Sequence, residues 1–260
     1  MEKNYTTDAI NLRTYNLSDS DKIMVMYSKD RGIIRSVAKG TKKPKSKLGA
    51  RMDLLVANNL MFSKGRNMDT VCQAQTINSF KEIRKDIFKL MISSYISEIV
   101  ANFGLENDPA SKETYSLLYK TLEKISESGT NENENSKRNI LLYAIKFQLK
   151  MMLIAGIIPE LEACLYCGRH VGEDDMYFSK EQSGIVCKEC NEKHHIPLKI
   201  QYKLRDFLVS MLQGDIDNKN EYEEKATEKI CVVCFNLLRE YIASHSVKKF
   251  NSDKVLAEVL

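Results

Sequence analysis

The spacing of apolar and polar positions along the chain changes once, near residue 80. Before that point, short runs rich in β-branched and aliphatic residues alternate with polar turns, a pattern typical of small antiparallel strands. The runs that predict strands cover residues 8–16, 22–29, 32–39, 54–64 and 69–77. Five short strands in about eighty residues predict a small barrel of the OB type.

After residue 80 the apolar period lengthens from two to about 3.6 residues, which indicates amphipathic helices. The segments that predict helices cover residues 80–103, 111–127, 137–155, 199–213 and 221–245. The fold class is therefore α+β and multidomain. We expect an OB-type β-barrel domain over residues 1–79 and an α-helical domain over residues 80–260.

Composition agrees with a globular protein, with 43% hydrophobic and 28% charged residues in a chain of 260. The longest apolar run, residues 151–158, is far shorter than the roughly 20 residues of a membrane span. The first residues also lack the basic head and apolar segment of a secretory signal. These patterns predict a cytoplasmic protein that has no membrane partner.

The net charge of +4 is too small to indicate a partner, but the positive charge is concentrated in one segment. From Arg31 to Arg51, across the predicted third strand and the connection that follows it, basic residues occur without any acidic residue. The segment contains Arg31, Arg35, Lys39, Lys42, Lys43, Lys45, Lys47 and Arg51. Nucleic-acid phosphates are a natural partner for such a patch, because each neutralised phosphate releases counterions. The alternative is a basic loop that is merely solvated.

Six of the seven cysteines form three C-x-x-C pairs, which favours metal binding over disulfides in a reducing compartment. Cys164 and Cys167 are followed after 19 residues by Cys187 and Cys190, the spacing of a zinc ribbon. We expect one structural zinc ion and a ribbon at about residues 162–195. Four thiolates leave no open coordination position for catalysis. The alternative is four reduced cysteines without metal.

The remaining cysteines and nearby histidines have simpler interpretations. Cys231 and Cys234 lie in a strongly apolar helix and are expected to pack in its core, as a metal would need two further ligands. Cys72, on a predicted strand, is expected to be buried. His194 and His195 could replace a cysteine ligand, but four thiolates make surface histidines the favoured interpretation.

Motifs of common enzymes are missing from the sequence. It contains no phosphate-binding P-loop, no G-x-G-x-x-G, no H-E-x-x-H, and no deaminase signature. With four histidines and no evident constellation, acid–base catalysis has no visible residues. The sequence therefore predicts a binding protein with no catalytic residues and no small-molecule substrate.

The order of these features resembles one family along nearly the whole chain, the bacterial DNA repair and recombination mediators of the RecO family. The resemblance rests on LRTYNLSDSDKIMVMYSKDRGIIRSVAKGTKKPKSKLGARMDLL, then FQLKMMLIAGIIPELEACLYCG, YFSKEQSGIVCKEC and LLREYIASH. It implies an OB fold followed by a helical domain with a zinc ribbon. It also implies a role in the RecF pathway: binding of single- and double-stranded DNA, annealing of complementary strands, and, with the partner RecR, replacement of single-strand binding protein by RecA.

Carried over by residue, the resemblance assigns DNA contacts to the segment from AKG to PKS and the arginine that follows. These contacts are Lys39, Lys42, Lys43, Lys45, Lys47 and Arg51, and the charge pattern adds Arg35. The four paired cysteines become the metal site, and the expected location is the nucleoid within the cytoplasm. Two alternatives stay open: an RNA-binding or transcription-associated factor, and an adaptor whose basic patch attracts an acidic peptide.

Overall fold

The computed structural model describes residues 3–129, 134–173, 176–217, 223–224 and 226–260. The chain divides into two compact units. One unit contains Met1–Glu132 and Phe250–Val259, and the other contains Asn133–Lys249. A domain boundary between residues 79 and 80 stays a prediction.

The first unit is built on a closed five-stranded barrel. Its strands are β1 (Asn4–Asn16), β2 (Lys22–Ser28), β3 (Gly32–Ala38), β4 (Ala57–Ser63) and β5 (Asp69–Asn78). They are hydrogen-bonded in the order β1-β2-β3-β5-β4, and β1 closes the barrel against β4. Only the β3–β5 pair is parallel, and it is short, joining Ser36 and Val37 to Asp69 and Thr70. This arrangement confirms the prediction of an OB-type barrel followed by helices.

The barrel interior is filled by apolar side chains that point inward from alternate strand positions. Met24, Met26, Leu60 and Phe62 are fully buried there. The expected burial of Cys72 is wrong, because this side chain is exposed. The register of β5 shifts at this point: Val71 is opposite Phe62 and Gln73 is opposite Met61. Cys72 is the extra residue of this β-bulge and follows Val71, which faces the core, so its side chain points outward.

The first helix begins later than its apolar pattern predicts. Phe80 has a left-handed backbone, and a short 3₁₀ helix over Lys81–Lys85 follows it. Helix α1 (Ile87–Phe103) then begins, because the Asp86 carboxylate accepts hydrogen bonds from the backbone N–H groups of Phe88 and Lys89. Helix α2 (Ser111–Glu127) is the last described helix in the first stretch of this unit, Met1–Glu132.

The second unit combines helices with a small three-stranded sheet. Its helices are α3 (Glu134–Ile154), α4 (Lys188–His194), α5 (Tyr202–Gln213) and α6 (Glu228–Ser244), and its strands are β6 (Met176–Ser179), β7 (Gly184–Cys187) and β8 (Lys199–Ile200). The residues where α5 was expected to begin instead pair with β6 as β8. In the predicted helix over 221–245, residues 221, 222 and 225 lie outside the described part of the chain.

Helices α3 and α6 pack against each other in the second unit. Cys231 and Cys234 are fully buried on α6, which confirms their predicted packing role. Burial raises the pKa of the Cys231 thiol to about 11. Among the helices that the structure describes, none is long and apolar enough to cross a membrane.

The chain returns to the first unit at its C-terminal end. Helix α7 (Asp253–Val259) follows Phe250, whose ring packs on that of Tyr95. The Glu98 carboxylate on α1 accepts hydrogen bonds from the backbone N–H groups of Asn251 and Ser252, at 3.2 and 3.0 Å. These contacts join the end of the chain to the first helix after the barrel.

Candidate nucleic-acid interface and metal centre

The connection between β3 and β4 carries most of the predicted DNA-contact residues, and we call Lys39–Arg51 the basic loop. It is folded as successive turns, with backbone hydrogen bonds from Lys43 to Gly40 and from Ser46 to Lys43. A 3₁₀ helix over Gly49–Met52 ends it. Met52 is fully buried in the barrel core, and Leu48 packs against that core. The apolar residues thus face the barrel, which leaves the charged side chains to face solvent.

The turn between β1 and β2 holds the beginning of the basic loop. The Asp21 carboxylate accepts a hydrogen bond of 2.8 Å from the backbone N–H of Gly40. The hydrogen bond from Gly40, followed by bonds from the Ser20 and Ser18 hydroxyls and the charge of Lys39, lowers the pKa of Asp21. The Lys42 ammonium donates to the carbonyl of Ser18 at 3.0 Å. No sequence motif indicates these contacts, because residues about twenty positions apart make them.

All the side chains predicted to contact DNA are exposed to solvent. They are Arg35, Lys39, Lys42, Lys43, Lys45, Lys47 and Arg51. The structure brings six of them together on the basic loop and places Arg35 on the adjoining strand β3. Arg35 forms an ion pair with Glu106, and the Arg51 guanidinium donates to the carbonyl of Lys47. Contact of these residues with DNA stays a prediction.

The four paired cysteines converge at one point in the second unit, where their sulfur atoms all lie within 4.8 Å of one another. Cys187 ends β7 and Cys190 lies in α4, directly after it. The other two lie on a turn that the backbone N–H of Gly168 closes onto the carbonyl of Cys164 at 2.9 Å. Gly168 has a φ of +69°, which glycine adopts without strain.

Hydrogen bonding in this cluster favours the thiolate of Cys164, whereas burial raises the pKa of Cys187 and of Cys190. Burial opposes ionisation of Cys164, but hydrogen bonds from the backbone N–H groups of Cys167, Cys187 and Tyr166 outweigh it and lower the pKa of Cys164 to about 6. A tetrahedral zinc site with bonds of about 2.3 Å has sulfur–sulfur edges of about 3.8 Å. The sulfur atoms of Cys167 and Cys187 are 3.9 Å apart. The four cysteines could therefore hold a metal ion.

Two aromatic side chains and one ion pair lie around the four cysteines. His194 stacks on Tyr166 with ring centroids 3.4 Å apart, and both His194 and His195 are exposed, as expected for surface histidines. Arg169 forms two hydrogen bonds to Glu189, at 2.7 and 3.2 Å. Among the residues that the structure describes, these four cysteines are the only group of three or more His, Cys, Asp or Glu side chains whose ligand atoms lie close enough together to share one metal ion.

Comparisons with known proteins assign both halves of the chain to the same family. Residues 1–80 match the family described as Recombination protein O N terminal, and residues 84–254 match Recombination protein O C terminal. A protein of Desulforamulus reducens named DNA repair protein RecO is 29% identical over 254 residues, which cover 98% of this chain and 94% of that protein.

Two further relatives carry the same name. The protein of Caldanaerobacter subterraneus subsp. tengcongensis is 30% identical over 253 residues, which cover 95% of this chain and 94% of the relative. The protein of Nostoc punctiforme is 33% identical over 195 residues, which cover 73% of this chain and 63% of the relative. Because both halves of the chain match and the similarity extends over nearly its whole length, the chain belongs to the RecO family of DNA repair proteins.

Proposed function

We propose that the protein is a recombination mediator that binds single- and double-stranded DNA through the basic loop and anneals complementary strands. With RecR, it helps to load RecA onto DNA coated by single-strand binding protein. The observation that carries the proposal is the set of exposed cations on one loop of an OB-type barrel, in a chain of the RecO family.

The chemistry of the loop favours phosphates over bases as the points of contact. Five of its cations are lysines, which act as point charges on flexible stems, whereas arginine offers a planar fork that identifies guanine edges. Binding through these lysines depends little on sequence. A protein that pairs any two complementary strands requires this property.

The cysteine cluster has a structural role in this proposal. We propose that Cys164, Cys167, Cys187 and Cys190 hold one zinc ion, which stabilises the surrounding sheet and turns. Four thiolates close the coordination sphere, so the ion supplies no catalytic water. The protein then acts without enzymatic chemistry, in the cytoplasm and on the nucleoid.

Strand annealing tests the proposal directly. Complementary oligonucleotides, one of them fluorescently labelled, are mixed with the protein in the presence and absence of single-strand binding protein, and with RecR added in a third arm. We expect faster annealing in every arm than without the protein. No acceleration in any arm would contradict the proposal. In a competition assay, a preference for RNA over single-stranded DNA would favour an RNA-binding factor instead.

A further inference from the structure

A groove of about 330 Å³ lies on the barrel at the beginning of β3, the strand that leads into the basic loop. It is bounded by the beginning of β3, the turn between β4 and β5, and the connection between α1 and α2. Its lining includes two arginines and two carboxylates: Arg31, Arg35, Asp69 and Glu106. Of these four residues, only Arg35 belongs to the predicted DNA contacts.

The α1–α2 connection is fixed against β3 by its backbone. Strand β5 pairs with β3 only at Ser36 and Val37, so it leaves the first half of that edge uncovered. The connection occupies this edge through two backbone hydrogen bonds. The backbone N–H of Ile33 donates to the carbonyl of Leu105 at 2.8 Å, and the backbone N–H of Asn107 donates to the carbonyl of Arg31 at 2.7 Å. Glu106 lies between these two bonds. Its backbone position is therefore set independently of its side chain.

The two carboxylates of the groove have different environments. The Asp69 carboxylate accepts a hydrogen bond from the Tyr5 hydroxyl at 2.6 Å and one from the backbone N–H of Gly65 at 3.1 Å, so it joins two walls of the groove. Glu106 is bonded through its side chain to Arg35, and the two side chains are 63% and 47% exposed. An ion pair this exposed contributes little to folding, because water screens it.

The Arg35–Glu106 pair therefore has a better explanation than stability. Arg35 lies on β3, and Lys39 follows the last residue of that strand; both side chains are exposed. Arg31 also lines the groove and lies over the ring of Tyr5 at 4.2 Å. A nucleic-acid backbone that follows the basic loop along β3 would reach Arg35 next, at the position that the Glu106 carboxylate occupies.

We propose that the groove binds a phosphodiester group of single-stranded DNA through the Arg35 guanidinium, assisted by Arg31, and that Glu106 occupies this phosphate position until a strand displaces it. This inference rests on the proposed function, since it extends the DNA-contact surface beyond the basic loop. Glu106 then acts as a built-in competitor that weakens binding of the incoming strand, which favours release after annealing.

The exchange predicts an unusual dependence on salt. A phosphate that contacts Arg35 releases a counterion, but the displaced Glu106 carboxylate takes up a cation from solution. The contact therefore adds almost nothing to the salt dependence of the wild-type protein. Without the carboxylate charge, the same contact should make the slope of log affinity against log salt steeper by about 0.7.

The test compares the variants Glu106→Gln, Arg35→Gln and the double variant, with Glu82→Gln as the matched control. Glu82 is also a partly exposed glutamate of the first unit, paired with Lys85, but it does not line the groove. Binding of a fluorescein-labelled oligo(dT) is measured by anisotropy across a salt series, and thermal unfolding checks that each variant is folded. Glu106→Gln should bind about two- to five-fold more tightly at low salt, with the steeper slope. The gain should disappear when Arg35→Gln is added.

Equal effects of Glu106→Gln and Glu82→Gln would overturn the inference, because only net charge would then matter. A gain that survives Arg35→Gln would also overturn it, since the phosphate would bind elsewhere. In both cases, binding by the wild type would leave the proposed function standing. If the wild-type protein does not bind oligo(dT) at all, the proposed function and this inference fail together.

Discussion

At the scale of single residues, Gly32 decides how closely the α1–α2 connection approaches β3. Its φ is +67°, and a Cβ atom there would lie 2.2 Å from the carbonyl oxygen of Leu105. A left-handed backbone alone costs a non-glycine residue about 1–3 kcal/mol. We expect Gly32→Ala to lower the free energy of unfolding of the first unit by more than this, because the added Cβ atom also clashes with the Leu105 carbonyl. Gly40 provides the control, because it has the same φ and only an ordinary contact at 3.7 Å. Equal losses in urea denaturation of Gly32→Ala and Gly40→Ala would show that the close approach has no cost.

A buried ion pair makes Lys146 critical for the second unit. Its ammonium lies 2.7 Å from the Glu223 carboxylate, and both side chains are 1% exposed. It also donates to the carbonyl of Asp215 at 2.5 Å. We expect Lys146→Met to cost about 3–5 kcal/mol of stability, because a charged glutamate would be left buried without its cation.

The double variant Lys146→Met with Glu223→Leu provides the comparison for this pair. Removing both charges should recover much of the loss, because an apolar pair of similar size avoids the desolvation cost. Urea denaturation of the two variants measures the difference. A double variant less stable than the single one would contradict this explanation.

At the scale of elements, the basic loop should act through its charge. Replacing Lys42, Lys43 and Lys45 with alanine should make the salt slope for single-stranded DNA shallower by about 2, if each contacts one phosphate. Affinity should fall to the same extent for every sequence. The measurement is oligonucleotide binding across a salt series. The control replaces three exposed lysines of the same unit that lie outside the loop: Lys81, Lys112 and Lys254.

An unchanged slope in the loop variant would show that the loop is only a solvated surface. An equal loss in the control would show that binding responds to total charge rather than to this element. Either result would shift the search for the DNA surface to the helices. The exchange at Arg35 would be tested separately, because it concerns a different element.

The cysteine cluster should bind about one zinc ion per chain and organise the small sheet around it. We expect Cys187→Ser to lose the metal and to destabilise the second unit locally, because structural zinc binding is coupled to folding. The barrel should keep its stability. Elemental analysis and thermal unfolding measure these effects. Cys72→Ser makes the same chemical change at an exposed cysteine outside the cluster and should keep the metal.

At the scale of the whole molecule, the first unit is formed by two separate stretches of the chain, Met1–Glu132 and Phe250–Val259. Phe250 is 8% exposed and Leu256 is fully buried within it. Ending the chain after Lys249 should therefore destabilise the barrel-containing unit by about 3–5 kcal/mol, the range for loss of a large buried side chain. Denaturant unfolding measures this loss. Removing only Val259 and Leu260, of which Val259 is 54% exposed, should have little effect. Equal stability of the two truncated chains would contradict the packing of α7.

The sequence by itself determined the features that depend on neighbouring residues. The change of apolar period near residue 80 indicated strands and then helices, and the cysteine spacing indicated which four thiols meet. The charge run identified side chains that are all exposed, because lysines on a turn-rich connection cannot be buried without partners. These signals are local: side-chain period, turn residues and ligand spacing are properties of short segments.

Only the tertiary structure decided the features that depend on partners far apart in sequence. The bulge at Cys72, after which Ala74 rather than Gln73 packs on the core, arises from the register between β4 and β5. The pairing of Arg35 with Glu106 joins positions 71 residues apart, and the contact between Glu98 and Asn251 joins positions 153 residues apart. Strand register and helix docking are set by how the whole apolar surface packs, and no short segment contains that information. For this reason the basic loop could be predicted, while its neighbouring groove and the carboxylate in it could not.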